Sequence, residues 1–368
     1  MSKLSTFLSL TFRNPRRLLA VIFEKVIAWS PDRKERFYCS VKSRIYYRYQ
    51  YYYDGRSPDL RDPQLLSDKI QWRKYYCPSV NKFGRLADKL YSQQVAASLI
   101  DVSHLVPTLW YGCNFTASFL RSFGADVVIK TTHQSGQVVI ITDPEIINYE
   151  KLSLVLHNAL KWPYSMVGQE PWYGRVQPQI VVQPLLRSSE GSSYLDDAKF
   201  HVFSSKGGQK RIIGEIINLQ GHWRAMFTES FDFIPCDISV GEYPRPEAVL
   251  ERPSYWKHMI EDVKKLSSAL NIDYVRIDFM MARDNYYFTE FTFAPNGGLL
   301  STNPPEWNKE LGDYWDFDRG NAGKRLFWFV RAWLPLWRTE LPLRLFRRLY
   351  RYKNEWGHYI RPEDYLRD

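Results

Sequence analysis

The stretch "YVRIDFMMARDNYYFTEFTFAPNGG" (residues 274–298) decides how the rest of the chain is read. Two runs rich in Tyr, Val, Ile, Phe and Met flank the turn-forming residues Arg283, Asp284 and Asn285, the composition of a β-hairpin. Three charges interrupt those runs, Arg276, Asp278 and Glu290, although burying unpaired charge is costly. Side chains alternate along a strand, so Tyr274, Arg276, Asp278 and Met280 share one face, and Phe288, Glu290 and Thr292 share a face of the returning strand. With a three-residue loop and Asn285 left-handed, Ala282 pairs with Tyr286 and Asp278 falls opposite Glu290. Two carboxylates about 5 Å apart destabilise a sheet unless a cation lies between them. Hard oxygen ligands of this kind suit magnesium, which takes one or two carboxylates and completes its shell with phosphates and water. Arg276 is placed to meet a phosphate, and the glycines of "APNGG" (294–298) let backbone approach a ligand closely. The hairpin alone also fits a plainer reading, a solvated face on which Arg276 neutralises the two acids.

Composition narrows the classes. At 368 residues and 45% hydrophobic, the chain buries a real core and is not a disordered polymer. Aromatics reach 16%, which favours aromatic packing or a greasy or sugary partner. Cys39, Cys77, Cys113 and Cys236 form no CxxC pair, and the seven histidines form no zinc-ligand pattern. Reduced thiols and a cytoplasmic location are expected.

The net charge of +10 is unevenly spread. Residues 1–50 hold eleven Lys/Arg and three Asp/Glu; residues 319–353 hold ten Lys/Arg and only Glu340. Both flanks are therefore strongly basic, while residues 51–318 carry a small negative excess. In "KRLFWFVRAWLPLWRTELPLRLFRRLYRYK" (324–353), Trp, Phe and Leu alternate with Arg, which suits a helix in the lipid interface better than a nucleic-acid arm. Eleven of the twelve residues from Leu326 to Trp337 are apolar, short of the roughly 20 needed to span a bilayer. The N-terminal "LSTFLSLTFRNPRRLLAVIFEKVIAW" (4–29) has the same mixed character, and its apolar run "LLAVIF" is too short for a signal-peptide core. Either the flanks lie on an anionic membrane surface, or they are helices packed on the rest of the protein.

Turn-forming Asp-Gly, Ser-Pro and Asp-Pro steps put a boundary near residues 55–64. Helical spacing follows in "SDKIQWRKYY" (67–76) and "RLADKLYSQQVAASLI" (85–100). Strands are expected at 126–130, 137–142, 179–186, 198–204 and 211–219, with helices at 148–160 and 259–271. Strands grouped with a few helices, rather than alternating strictly with them, indicate an α+β layered fold.

The order of the motifs is more specific than any one of them. "LLSDKIQWRKYY" (65–76), "RLADKLYSQQVAASL" (85–99), "LVPTLWYG" (105–112), "VVIKTTHQSG" (127–136), "IVVQPLL" (180–186), "DDAKFHVF" (196–203), "YVRIDF" (274–279), "FTEFTFAPNGG" (288–298) and "NPPEWNKELG" (303–312) succeed one another as in the ATP-grasp enzymes. Within that superfamily the chain resembles the TupA-like group associated with teichuronopeptide and other surface-polysaccharide products. The resemblance implies an ATP-grasp fold, two α+β halves sandwiching a nucleotide, between basic helical flanks. The expected division is an N-terminal flank (1–64), an N-terminal subdomain (65–125), a central nucleotide lid (126–190), a C-terminal subdomain with the metal site (191–318) and a basic tail (319–368).

The resemblance also implies roles. Lys89 and Lys130 would contact the phosphates of ATP, with His133, Ser135 and Gly136 in the phosphate loop; Gln183 and Leu185 would form the adenine hinge; Lys199 would reach the nucleotide from the second half. Arg276 would stabilise the transferring phosphoryl group, while Asp278 and Glu290 would hold Mg2+, with Asn296 or else Thr292 completing the metal shell. The chain differs from related ligases such as the D-alanine:D-alanine ligases in placing Thr292 two residues after Glu290 where Asn is common there, an Asn that TupA-like proteins also often lack; it keeps only Gly136 in a loop that is glycine-rich in similar proteins, and carries Gln183 at a hinge position usually acidic. The expected activity is ATP- and Mg2+-dependent carboxylate-amine ligation through an acylphosphate, in capsule, O-antigen or teichuronopeptide-like biosynthesis. Expected partners are carboxylate and amine small-molecule or glycan substrates, an anionic membrane surface or a lipid-linked glycan at the inner face of the cell membrane, and no nucleic acid. A kinase acting on a glycan hydroxyl and a non-catalytic nucleotide- or glycan-binding module remain alternatives.

Overall fold

A computed structural model describes residues 45, 49, 56–339 (apart from 163, 188–194, 206, 219–220, 239–245, 247–249 and 317) and 360–367. Of the expected flanks, 1–64 lies largely outside these residues, whereas 319–368 is described at 319–339 and 360–367.

Three helices open the described chain, α1 (Leu66–Tyr76), α2 (Val80–Ala87) and α3 (Lys89–Ala97). The single helix expected over 85–100 is broken at Asp88, whose backbone is extended and whose side chain accepts from Leu90 N at 2.9 Å, capping α3. Strand β1 (Trp110–Gly112) and helix α4 (Ala117–Arg121) follow, then β2 (Val127–Thr131), β3 (Val138–Ile141), α5 (Tyr149–Leu160), α6 (Tyr164–Gly168) and β4 (Ile180–Pro184). The rest comprises β5 (Asp196–Ser204), β6 (Lys210–Asn218), β7 (Trp223–Phe227), β8 (Phe233–Ile234), β9 (Asp237–Ile238), α7 (Trp256–Leu270), β10 (Tyr274–Met281), β11 (Tyr286–Thr292), β12 (Thr302–Asn303), α8 (Trp307–Asp313) and α9 (Ala322–Thr339).

Two antiparallel sheets carry the site: a four-stranded sheet in the order β1-β4-β2-β3 and a six-stranded sheet in the order β11-β10-β5-β6-β7-β8. Each has its own core. Under the small sheet, Leu120, Val127, Ile129, Val139, Ile141, Leu152, Leu156, Ile180 and Val182 bury together. Residues 360–367, grouped by sequence with the tail, return to this core: Tyr365 is buried in it, and its carbonyl accepts from Asn148 N at 2.8 Å. Trp172 and Tyr173, within the stretch expected to be lid, bury in the main core instead.

In the large sheet the two-residue alternation sorts chemistry from packing. Ala198, Phe200 and Val202 of β5 and Val275, Ile277 and Phe279 of β10 are buried with Trp256, Met259, Val263 and Leu266 of α7. The opposite face presents Asp197, Lys199, His201, Arg276 and Asp278. Helix α1 braces this arrangement from below through buried polar side chains. Lys74 Nζ donates to Gly297 O at 2.7 Å and Gln71 Nε2 to Gly298 O at 3.0 Å, while Arg73 Nη1 donates to Tyr274 O at 2.7 Å. The turn after β11 and the start of β10 are thus tied to one helix.

Candidate active site

The hairpin registers Asp278 against Glu290, as the alternation requires, but by another route. Met281, not Ala282, pairs with Tyr286, and Asn285 is absent from the left-handed residues. A four-residue connection therefore replaces the expected three-residue loop. The one-residue error is cancelled by a β-bulge: Thr289 is extra between the Asp278–Glu290 and Phe279–Phe288 pairs, and its hydroxyl donates to Asp278 O at 2.9 Å.

A cavity of about 320 Å³ between the two sheets is lined by Lys89, Lys130, Ser135, Gly136, Gln183, Lys199, Arg276, Asp278 and Glu290, all expected from sequence. Lys89, the first residue of α3, donates to Gln134 O at 2.7 Å and lies 3.3 Å from Glu290 Oε2. Gln93, one turn on, donates to Phe288 O at 2.9 Å and so fastens α3 to the bulged strand. Lys130 approaches from β2. Burial, and next the charge of Lys89, push its ammonium below the ordinary lysine range, so the cleft holds cationic charge that an anion would relieve.

On the large sheet, Arg276 grips Asp278 with two hydrogen bonds, Nε to Oδ1 at 2.7 Å and Nη2 to Oδ2 at 2.6 Å. Thr292 Oγ1 adds a bond to Asp278 Oδ2 at 3.2 Å. Burial raises the Asp278 carboxyl above its usual range, opposed by Arg276 and reinforced by Glu290. Burial works the same way on Glu290, but Lys89 and Arg276 outweigh it and hold that carboxyl low. Behind them His201 and Glu215 are both buried; His201 Nδ1 lies 2.8 Å from the Tyr274 hydroxyl, and Arg224 Nε lies 3.1 Å from Glu215 Oε1. Burial would raise the Glu215 carboxyl, yet the neighbouring His201, its Nε2 3.9 Å from Glu215 Oε2, and the charge of Arg224 bring it down to about 2.

Among the described residues no group of three or more His, Cys, Asp or Glu is arranged to hold a metal. The donor set is two facing carboxylates, which fits a magnesium ion bound chiefly through substrate phosphates and does not fit a preformed protein cage.

Three expected residues stand apart from the lining. Asn296 is exposed in a left-handed turn (φ 50°) after β11, whereas Thr292 touches Asp278 directly. Leu185 is half-buried beyond β4, and its N–H already donates to Asp126 O at 2.7 Å. His133 is buried, with its Nε2 2.9 Å from Gln134 Nε2, which makes it the acceptor. Burial, and next Lys89, lower its imidazole from 6.5 to about 4. Between those values an unfolded histidine takes up a proton that the folded one refuses, so stability is fully present above about pH 6.5 and is lost as pH falls toward 4. Replacing His133 with Gln should reduce the loss of urea resistance between pH 7 and pH 4.5, measured as denaturation midpoints; an undiminished loss would refute this assignment.

Sequence reasoning missed Asp197, whose Oδ2 lies 3.0 Å from Lys199 Nζ, and also Gln93 and Thr289. Asp197 was detectable, since it stands two positions before Lys199 on the same strand face. The small sheet adds an apolar platform: Val138 and Val181 line the cavity, while Tyr111 and Ile140 beside them are 55% and 40% exposed. These apolar side chains, next to the buried amide of Gln183, suit a heteroaromatic ring.

A family model described as TupA-like ATPgrasp matches residues 68–316. Among solved structures, a D-alanine–D-alanine ligase from Bacillus anthracis is 17% identical, with 71% of each chain covered and a TM-score of 0.38. An L-amino acid ligase from Bacillus licheniformis is 13% identical, with 60% of this chain and 46% of that one covered and a TM-score of 0.37. No curated protein matches.

Proposed function

The chain belongs to the TupA-like ATP-grasp family, and from that premise we propose that it is an ATP-dependent ligase joining a carboxylate to an amine. The observation that carries this reading is one cleft gathering four cations, Lys89, Lys130, Lys199 and Arg276, around the facing carboxylates Asp278 and Glu290, beside an apolar platform. A nucleoside triphosphate matches each part. The base would lie on the small-sheet face near Gln183, and the phosphates would draw Lys89, Lys130 and Lys199. Asp278 and Glu290 would hold a phosphate-bound magnesium, which would neutralise charge on the triphosphate.

In the proposed reaction a carboxylate oxygen attacks the γ-phosphorus, the bond from that phosphorus to the β,γ-bridging oxygen breaks, and ADP leaves an acylphosphate behind. The amine nitrogen then attacks the acyl carbon, the acyl C–O bond breaks, inorganic phosphate departs and the surplus amine proton passes to solvent. Arg276 spends Nε and Nη2 on Asp278, which orients the guanidinium, and its Nη1 would meet the transferring group. The substrate carboxylate is proposed to be a uronic or amino acid and the product a decorated capsule, O-antigen or cell-wall glycan. Support for that setting comes from the TupA-like family and from the basic, aromatic flanks.

Purified protein, ATP and magnesium should release ADP and phosphate together only when an acid and an amine are both supplied, with the amide visible by mass spectrometry. ADP without free phosphate, accompanied by a phosphorylated acceptor, would make the protein a kinase. Nucleotide binding without turnover on any acceptor would make it a binding module. Either result overturns the ligase reading.

A further inference from the structure

We propose that helix α9 is a membrane-docking element, fixed to the catalytic body on one side and seated on an anionic lipid surface by the other. One side is committed to the protein. Ala332 and Trp333 are fully buried, Trp333 Nε1 donates to Tyr75 O at 2.8 Å, and the Trp328 and Phe329 rings pack on Trp72 and Tyr75 at 6.1 and 4.9 Å. Arg175 Nη2 adds a bond to Arg331 O at 2.9 Å. The other side presents Leu326, Phe327 and Val330, exposed by 64%, 61% and 42%. Their spacing of one and three or four residues makes them one contiguous ridge. Exposed Lys324 and Arg331 flank it.

Charge selects the occupant. Residues 319–353 hold ten Lys/Arg against one Glu, so a second copy of the same face would set cation against cation. The N-terminal 50 residues, with eleven Lys/Arg against three acids, would be repelled in the same way. An anionic bilayer satisfies both features, since acyl chains accept the aliphatic and aromatic ridge while headgroups meet the cations. No helix among the described residues is long and apolar enough to cross a membrane, and α9 needs only to lie on one. Because its inner side is packed on α1, docking would hold the catalytic cleft at a set orientation to the surface.

The full-length protein should co-sediment with mixed phosphatidylglycerol–phosphatidylethanolamine vesicles and bind pure phosphatidylcholine vesicles about tenfold or more weakly at low salt. The double variant Leu326→Ser/Phe327→Ser should bind the anionic vesicles about tenfold more weakly, since two apolar side chains no longer enter the interface. Both positions are mostly exposed, so its circular dichroism and melting midpoint should match the parent protein. Failure of the parent protein to bind, or equal binding by the double variant, would overturn the proposal. So would self-association in sedimentation velocity that the double variant abolishes, which would make the ridge a seam between copies. The assay contains no nucleotide, so its outcome is independent of the catalytic reading.

Discussion

Asp278→Asn is expected to lower ATP turnover by about 10²–10³-fold and to destabilise the protein by about 3 kcal/mol. Both effects follow from one geometry. The carboxylate accepts two bonds from Arg276 and one from Thr292 in a position only 5% exposed. Asparagine preserves the shape but removes the counter-charge, and its amide NH2 group meets guanidinium hydrogens where an acceptor is needed. Arg276 is then held in a buried site without its bidentate partner, and the facing pair at Glu290 is reduced to one carboxylate. Glu290→Gln separates the two consequences. Glu290 is 28% exposed and its partner is Lys89 at 3.3 Å, so its loss should cost a similar factor in turnover and only about 1 kcal/mol or less in stability. Steady-state release of ADP and urea denaturation of the same preparations provide the two measurements. Turnover within a few-fold of the parent in both variants would refute the site.

Trp256→Ala is expected to cost about 3–5 kcal/mol of folding free energy while leaving nucleotide affinity of the folded protein nearly unchanged. The indole is 1% exposed and packs on Phe200, Phe231 and Phe227 at 5.2, 4.9 and 6.2 Å, and its Nε1 donates to Glu229 O at 2.9 Å. Gly214 on β6 makes room for it, because a Cβ there would lie 2.7 Å from the ring. All of this lies on the α7 side of the sheet, while Lys199 and Glu215, one residue away in sequence from Phe200 and Gly214, face the other side. Chemical denaturation checks the first part and titration with ATP the second. A loss below about 1 kcal/mol, or a large change in affinity of the folded protein, would contradict this division of faces.

The residues whose places in the cleft were legible beforehand are those that local pattern or motif order can locate. Lys130, Lys199, Arg276, Asp278 and Glu290 sit on strands recognisable by composition, and their faces follow from counting by twos. Lys89 owed its place to the motif in which it stands; the break at Asp88 that makes it the first residue of α3 was hidden by continuous helical periodicity across 85–100. Helix α1 was recognised as a helix, but its spacing said nothing of the buried Lys69, Arg73 and Lys74, whose acceptors lie in the distant residues 274, 297, 312 and 315.

By itself the sequence determined the main strands of both sheets, the helices α1, α5 and α7, the alternation of charged and packing faces and membership in an ordered set of ATP-grasp motifs. These depend on backbone geometry that repeats every two or every 3.6 residues, which a single chain displays in order. Only the tertiary structure decided that a bulge at Thr289 restores the register, that Arg276 spends two bonds on Asp278, that Asp197 joins the cleft, and that Thr292 rather than Asn296 stands beside the acids. Those facts depend on which distant strands meet: β5 lies against β10 some 71 to 85 residues away in sequence, and hydrogen bonding and desolvation at that meeting set each side chain's partners.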